Sequence, residues 1–265
     1  ALARFQARHG IAADGALGKG TLTELNVPVA ARLHMIEANL ERWRWAPRTS
    51  PATRIEVNIA SQQVELYQAG RLTDAMRAVA GSKTNRTPML ASQIHSVVLN
   101  PPWNVPTSIA SKELWPKERA NPGYLQRSNF VVRDGGGLQQ RPGAGNSLGR
   151  VKFDFNNPYG VYLHDTPGRA AFARDMRAVS HGCIRLERPV DLAKRLIGEG
   201  AGSEKIDVVL QGEDTTRVPL ATPVPVYLFY WTVFVDGTAK LNFRNDIYDW
   251  DVALLRLLDA GKSRV

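Results

Sequence analysis

The chain has 265 residues, of which 43% are hydrophobic and 22% charged. That balance is globular, and the length allows one large domain or two smaller ones. An excess of 34 Lys and Arg over 25 Asp and Glu leaves a net charge of +9, which favours an anionic partner. No apolar run reaches the ~18 residues that a membrane span needs. The single cysteine, Cys183, excludes an internal disulfide and an all-cysteine zinc site.

The opening Ala1-Leu2-Ala3-Arg4-Phe5 has neither an initiator Met nor a signal peptide's apolar stretch, so a fragment or processed product is expected. Residues 1–28 read as a small helical module. Leu2 and Phe5 share a helical face, His9-Gly10 ends that helix, Asp14-Gly15 turns the chain, and Thr21–Leu25 restarts a helix. Residues 29–49 read as a linking helix. Leu33, Ile36, Leu40 and Trp43 fall on one face before Pro47 stops it, and Trp43 and Trp45 are expected to dock it rather than bind sugar.

From Arg54 the period changes to two. Ile55, Val57 and Ile59, then Val64 and Leu66, predict a hairpin turning at Ala60–Gln63. Val79–Gly81 and Ser96–Leu99 continue the strand pattern. Residues 101–149 are rich in Pro, Gly and Asn, with one short helical stretch near Ile109–Arg119; so long an irregular insertion suits a lid or binding loop. Strands are expected again at Val151–Phe155, Gly160–Leu163, Ile206–Leu210 and Val224–Val235, with a hairpin turn at Asp236-Gly237. Pro189–Ile197 reads as a helix with Pro in its first turn. The whole predicts a mainly β domain over about residues 50–255, with few helices.

The chemistry concentrates in Ser180-His181-Gly182-Cys183-Ile184-Arg185-Leu186. A thiolate is the nucleophilic form of cysteine, and a nearby cation lowers the thiol pKa. Gly182 lets a substrate approach the backbone, and the N–H groups of Gly182 and Cys183 can face a developing oxyanion. Nineteen residues earlier stands His164, in Tyr162-Leu163-His164-Asp165-Thr166-Pro167, as a candidate base. On the residues alone, a catalytic Cys–His pair competes evenly with a buried apolar cysteine beside a merely hydrogen-bonded histidine. His9, His34 and His95 show no ligand spacing, so no metal and no cofactor are expected. Gly135-Gly136-Gly137 reads as flexible loop, with no helix after it to cradle a phosphate, and no nucleic-acid motif accompanies the scattered basic residues.

The Ser-His-Gly-Cys-Ile-Arg-Leu segment with its upstream Tyr-Leu-His resembles the signature of the L,D-transpeptidase catalytic domain. The segments 100–106, 121–125, 146–150, 163–167, 226–228 and 243–248 are similar to the large, lid-bearing periplasmic subgroup of Gram-negative bacteria. The stretch from Phe5 to Leu25 resembles the second half of a peptidoglycan-binding helical module. The resemblance implies a β-sandwich catalytic domain over residues 50–255 with a lid at about 101–149, behind a helical remnant at 1–28. It makes Cys183 the acyl acceptor, His164 the base and later the acid, and Gly182 and Cys183 the oxyanion hole. Asp165 would orient the imidazole through its backbone rather than its carboxylate, and His181 would support the Cys loop. Arg185 would fix that loop or bind a stem-peptide carboxylate, with a structural ion pair as the competing reading. Tyr162 and Ser180 count as substrate-binding, and Trp103, Asn104 and Tyr124 of the lid would line the substrate groove or pack it.

The function implied is a cysteine L,D-transpeptidase. It would release D-Ala from tetrapeptide stems and join the thioester to the diaminopimelate amine of a neighbouring stem, in cell-wall synthesis and cell shape, and it would be a carbapenem target. Its partners would be peptidoglycan stem peptides and other cell-wall synthesis enzymes, with no nucleic acid. The compartment implied is the periplasm, with an inner-membrane anchor in an N-terminal segment outside this sequence. An L,D-carboxypeptidase or a lipoprotein-attachment enzyme would share the Cys–His site, and an idle wall-binding protein is the rival from another class. A papain-like protease fits poorly, because there the cysteine precedes the histidine.

Overall fold

A computed structural model describes residues 1–198 and 201–262. In chain order it begins with α1 (Leu2–Arg8), α2 (Lys19–Leu25), α3 (Val29–Trp45), β1 (Arg54–Asn58), β2 (Gln63–Gln68), β3 (Arg71–Gly81), β4 (Leu90–Leu99) and β5 (Trp103–Asn104). Next come α4 (Thr107–Ile109), a π-helical turn (Ala110–Leu114), α5 (Trp115–Ala120), α6 (Tyr124–Arg127), β6 (Phe130–Val132), β7 (Leu138–Gln140) and β8 (Val151–Phe155). The remainder is β9 (Leu163–His164), a 3-10 turn (Arg169–Ala173), β10 (Ala178–Ser180), β11 (Ile184–Leu186), α7 (Pro189–Ile197), α8 (Ala201–Gln211), β12 (Thr216–Phe229), β13 (Val233–Val235), β14 (Leu241–Phe243) and α9 (Trp250–Lys262). The chain is mainly β with several helices, as its period-two patterning predicts. No helix among the described residues is long and apolar enough to cross a membrane.

The chain divides into two units. The first holds residues 1–91, 172–182 and those from Tyr227 onward. Here β1, β2 and β3 run antiparallel, and β10 adds to β3 in parallel. Ile55 pairs with Leu66 and Val57 with Val64, so one face of the hairpin is apolar and buried.

Helix α3 departs from its apolar pattern. Leu33, Leu40 and Trp43 are exposed, whereas Ala38, Asn39 and Arg42 are buried. Polar partners decide which face docks. Asn39 donates to the Thr232 hydroxyl at 2.6 Å and accepts the Thr232 N–H at 3.0 Å. Arg42 pairs with Asp251, which also accepts the Thr232 hydroxyl at 2.7 Å. Spacing identifies a stripe on a helix, but the groups opposite determine whether it is the stripe that is buried. Trp43 stacks on Trp231 at 4.9 Å between centroids, yet Trp45 stays exposed.

The second unit holds residues 92–171 and 183–226. Its strands lie in the order β11-β9-β8-β4-β12, with β9 parallel to β11 and antiparallel to β8. Ile94, Val97, Val151, Phe153, Leu163, Ile184 and Leu186 are fully buried beneath them. Gly160–Tyr162, expected in a strand, lead into a ladder that holds only Leu163 and His164.

Ile206–Leu210, expected as a strand, lies in α8. A short apolar run does not by itself distinguish the two states. The helix is favoured because its C-terminal carbonyls find donors. Arg150 reaches the carbonyls of Leu210 and Gly212, and Asn100 Nδ2 donates to Val209 O at 3.0 Å. Lys194 of α7 also pairs with Asp207 at 2.7 Å.

The insertion at 101–149 is more ordered than its composition suggests. It contains a three-stranded sheet, β5-β7-β6, and buries its own core of Ala110, Leu114, Leu125, Phe130 and Leu138.

Candidate active site

The parallel register of β9 and β11 places Ile184 beside Leu163 and Arg185 beside His164. Ile184 N–H donates to Tyr162 O at 2.9 Å, which extends the alignment back to Cys183. Side chains two apart share a strand face. Cys183 and Arg185 therefore project on the face that carries His164. A thiol and an imidazole nineteen residues apart in sequence come to share one sheet face because two short strands run side by side.

His164 is 4% exposed, and its Nδ1 donates to the Asp165 carbonyl at 2.5 Å. That bond leaves Nε2 as the basic nitrogen. The Asp165 carboxylate faces elsewhere: Oδ2 accepts the Arg150 N–H at 2.8 Å and Oδ1 pairs with Arg169 at 3.2 Å. Gly149, at φ +63°, makes room for it, since a Cβ there would lie 2.4 Å from that carboxylate.

Burial pulls the His164 pKa down from 6.5 to about 4, with the Arg185 and Lys152 charges adding to the effect against the Asp165 and Leu148 carbonyls. Burial also pushes the Cys183 thiol up, although the Tyr162 backbone, Arg185 and Lys152 all oppose it. The flanking cation argues for a thiolate; desolvation of sulfur outweighs it. Both shifts favour the neutral forms, a thiol at Cys183 and an uncharged imidazole at His164. The thiol points toward the Gly160 carbonyl at 3.9 Å. Arg185 is half-buried, and among the described residues its Nε has no hydrogen-bond partner and no carboxylate pairs with it.

The comparisons with known proteins agree with the motif. The family model YkuD, an L,D-transpeptidase catalytic domain, matches residues 52–226, well over half of the chain. The chain belongs to the L,D-transpeptidase family. A Haemophilus influenzae protein provisionally named as an L,D-transpeptidase is 35% identical over 217 residues, covering 74% of this chain and 44% of its own length. The chain thus spans less than half of that curated relative. Among solved structures, the Enterococcus faecium L,D-transpeptidase catalytic domain acylated by ertapenem is 15% identical at a TM-score of 0.37, over 68% of this chain and 99% of that one. An L,D-transpeptidase from Mycobacterium smegmatis is 16% identical at 0.38, over 67% and 58%. At those scores the structural likeness adds nothing to the family match.

In this L,D-transpeptidase domain the motif's N-terminal half is held within the first unit. Ser180 is buried, and its Oγ accepts the Gly182 N–H at 3.0 Å. This changes two expectations: Ser180 shapes the loop rather than touching substrate, and the Gly182 N–H is already engaged rather than aimed at an oxyanion. Gly182 itself sits at φ +115°, which a side chain would strain. Its carbonyl accepts the Thr87 hydroxyl at 2.7 Å, and Thr87 Oγ1 in turn accepts the Gly81 N–H at 2.8 Å. Tyr248 completes the loop, donating to Gly81 O at 2.6 Å and accepting the Thr87 N–H at 3.1 Å. Sequence reasoning missed Thr87 and Tyr248. Neither lies near the motif in the chain; Thr87 carries no local signal, and Tyr248 enters only as the end of the 243–248 resemblance, with no role at the Cys loop. His181 is exposed.

The lid residues resolve toward packing. Trp103 and Tyr124 lie against the lid's apolar core, with Trp103 at 6.2 Å from Phe130. Asn104 is exposed and accepts the Gln139 amide at 2.6 Å. Packing inside the lid accounts for part of each side chain, and all three keep some exposed surface. Tyr162 is half-buried, with Lys152 Nζ 3.8 Å above its ring.

Proposed function

We propose that this chain is a cysteine L,D-transpeptidase that forms 3→3 cross-links in peptidoglycan and releases D-Ala from tetrapeptide stems. The observation that most supports the reading is the His164 Nδ1–H bond to the Asp165 carbonyl, which leaves Nε2 as the base on the face that carries Cys183. In the first half-reaction the Cys183 sulfur attacks the carbonyl between meso-diaminopimelate, the third stem residue, and the terminal D-Ala. Its proton passes to His164 Nε2. The Cys183 N–H meets the developing oxyanion. Collapse breaks the C–N bond, His164 returns the proton to the departing D-Ala amine, and a thioester remains. In the second half-reaction the side-chain amine of a neighbouring stem attacks the thioester and loses a proton to His164. The sulfur leaves and is reprotonated.

The neutral resting pair suits this cycle, because proton transfer is coupled to attack rather than spent in advance. Arg185, a half-buried cation with no carboxylate partner among the described residues, suits a stem-peptide carboxylate. The wall polymer is anionic, which agrees with a net charge of +9, and the reaction places the enzyme in the periplasm.

The test is mass spectrometry of disaccharide-tetrapeptide incubated with the protein and with Cys183→Ala. A cross-linked dimer that has lost one D-Ala, absent with the variant, is expected. Tripeptide alone would replace the amine acceptor with water and make the enzyme an L,D-carboxypeptidase. No product, together with no carbapenem adduct on Cys183, would overturn the catalytic reading.

A further inference from the structure

The ladder that aligns the site is short. β9 and β11 share two register pairs, Leu163 with Ile184 and His164 with Arg185. The carbonyl that fixes the base belongs to Asp165, one residue past the end of β9. The bonds of the ladder stop before it, so groups beyond the strands must hold it.

On one side Asp165 is tied to β8. Its Oδ2 accepts the Arg150 N–H at 2.8 Å, and its own N–H donates to Val151 O at 2.8 Å. On the other side it is tied to β11 through Arg169. Arg169 Nη1 donates to Asp165 Oδ1 at 3.2 Å and to Leu186 O at 3.4 Å, and Nη2 donates to Glu187 O. Leu186 is the last residue of β11. One guanidinium thus joins the residue after His164 to the end of the strand that starts directly after Cys183. The intervening turn returns Arg169 to Asp165. Thr166 is buried and its Oγ1 accepts the Gly168 N–H at 3.1 Å; Pro167 has a fixed φ, and its carbonyl accepts the Arg169 N–H at 2.9 Å. A planar fork with several donors reaches a carboxylate and two carbonyls together, which a single ammonium on a flexible stem does poorly.

Folding stability is a weak reason for this arrangement. The Arg169 side chain is 51% exposed, and ion pairs open to water contribute little. Alignment is a stronger one, because a misplacement of about 1 Å at a reacting group can cost about a hundredfold in rate.

We infer that Arg169 and the Asp165 carboxylate are positioning residues for acyl transfer: together they clamp the ends of β9 and β11, aim the Asp165 carbonyl at His164 Nδ1, and keep the base in register with the strand that follows the nucleophile. The inference rests on the acyl-transfer reading above and adds to it the device that sets the base.

The test is a double-mutant cycle on the second-order rate constant for carbapenem acylation of Cys183. Intact mass reads it in wild type, Arg169→Ala, His164→Gln and the double variant, with excess carbapenem and long incubation for the slow proteins. Arg169→Ala is expected to acylate about tenfold more slowly than wild type, and Arg169→Lys to recover part of that loss. In the His164→Gln background the effect of Arg169→Ala is expected to vanish, since a clamp that acts through the base has nothing left to aim. A general loosening of the fold would slow both backgrounds alike. Asp165→Asn keeps an acceptor for the Arg150 N–H and loses the charge that pairs with Arg169. It is expected to slow acylation with the same dependence on His164, and it supplies the cycle if Arg169→Ala does not fold. Wild-type rates in Arg169→Ala, or an equal slowing in both backgrounds, would overturn the inference. A His164→Gln protein that acylates as fast as wild type would instead overturn the acyl-transfer reading beneath it.

Discussion

Lowering the pH titrates His164, and burial decides where. Its pKa of about 4, against 6.5 for an exposed ring, means that the base should survive well into acid. At pH 5.5 a ring titrating at 4 is about 97% neutral, whereas one titrating at 6.5 is about 9% neutral, a difference of about tenfold in available base. The assay is the second-order rate constant for carbapenem acylation of Cys183, followed by intact mass between pH 4 and 8 at constant ionic strength. The expected profile is flat down to about pH 5 and half-maximal near pH 4. The same depressed pKa acts on stability. Between 6.5 and 4 the unfolded chain binds a proton that the folded chain refuses, so stability falls as the pH falls through that window. The loss amounts to about 3 kcal/mol. Urea denaturation at pH 7 and at pH 4.5 should show most of it in the wild type, and His164→Gln should remove that component of the pH dependence. An acid limb at or above pH 6.5 would refute the reasoning, because it would require a charged imidazolium stabilised by a resting thiolate.

Thr87→Val should leave two buried groups unpaired, the Gly81 N–H at the end of β3 and the Gly182 carbonyl of the Cys loop. The expected cost is about 1–3 kcal/mol for each, together with slower acylation, and Thr87→Ser should restore both stability and rate. Thermal melts and the acylation rate check this; a Thr87→Val protein that melts and acylates like wild type would remove Thr87 from the support of that loop. Asp251→Ala should cost about 3–5 kcal/mol, because it strands the buried Arg42 charge, and a loss below ~1 kcal/mol by urea denaturation would show that Arg42 finds solvent instead.

The sequence by itself determined the strand-rich character of the chain, the β1–β2 hairpin, the helix at Pro189–Ile197 and the family. These are local: period-two apolar alternation, a proline in a first turn, and seven contiguous residues around the only cysteine. It also singled out His164, because a motif with a spacing carries its partner along the chain. What it did not reach depends on groups far apart in sequence. Helix α3 buries Asn39 and Arg42 rather than its leucines, because Thr232 and Asp251 lie opposite, and α8 is a helix where the apolar run predicts a strand, because Arg150 and Asn100 satisfy its last carbonyls. The lid aromatics turn inward because the insertion has a core of its own.

The protonation state of the site belongs to the tertiary structure for the same reason. Composition and spacing show a cation two residues from the thiol, which argues for a thiolate. Only the packed fold shows how much water has been removed from Cys183 and His164; desolvation outweighs the nearby charges at Cys183 and acts together with them at His164. Local pattern determines which residues can react; the three-dimensional packing sets their charge and their neighbours.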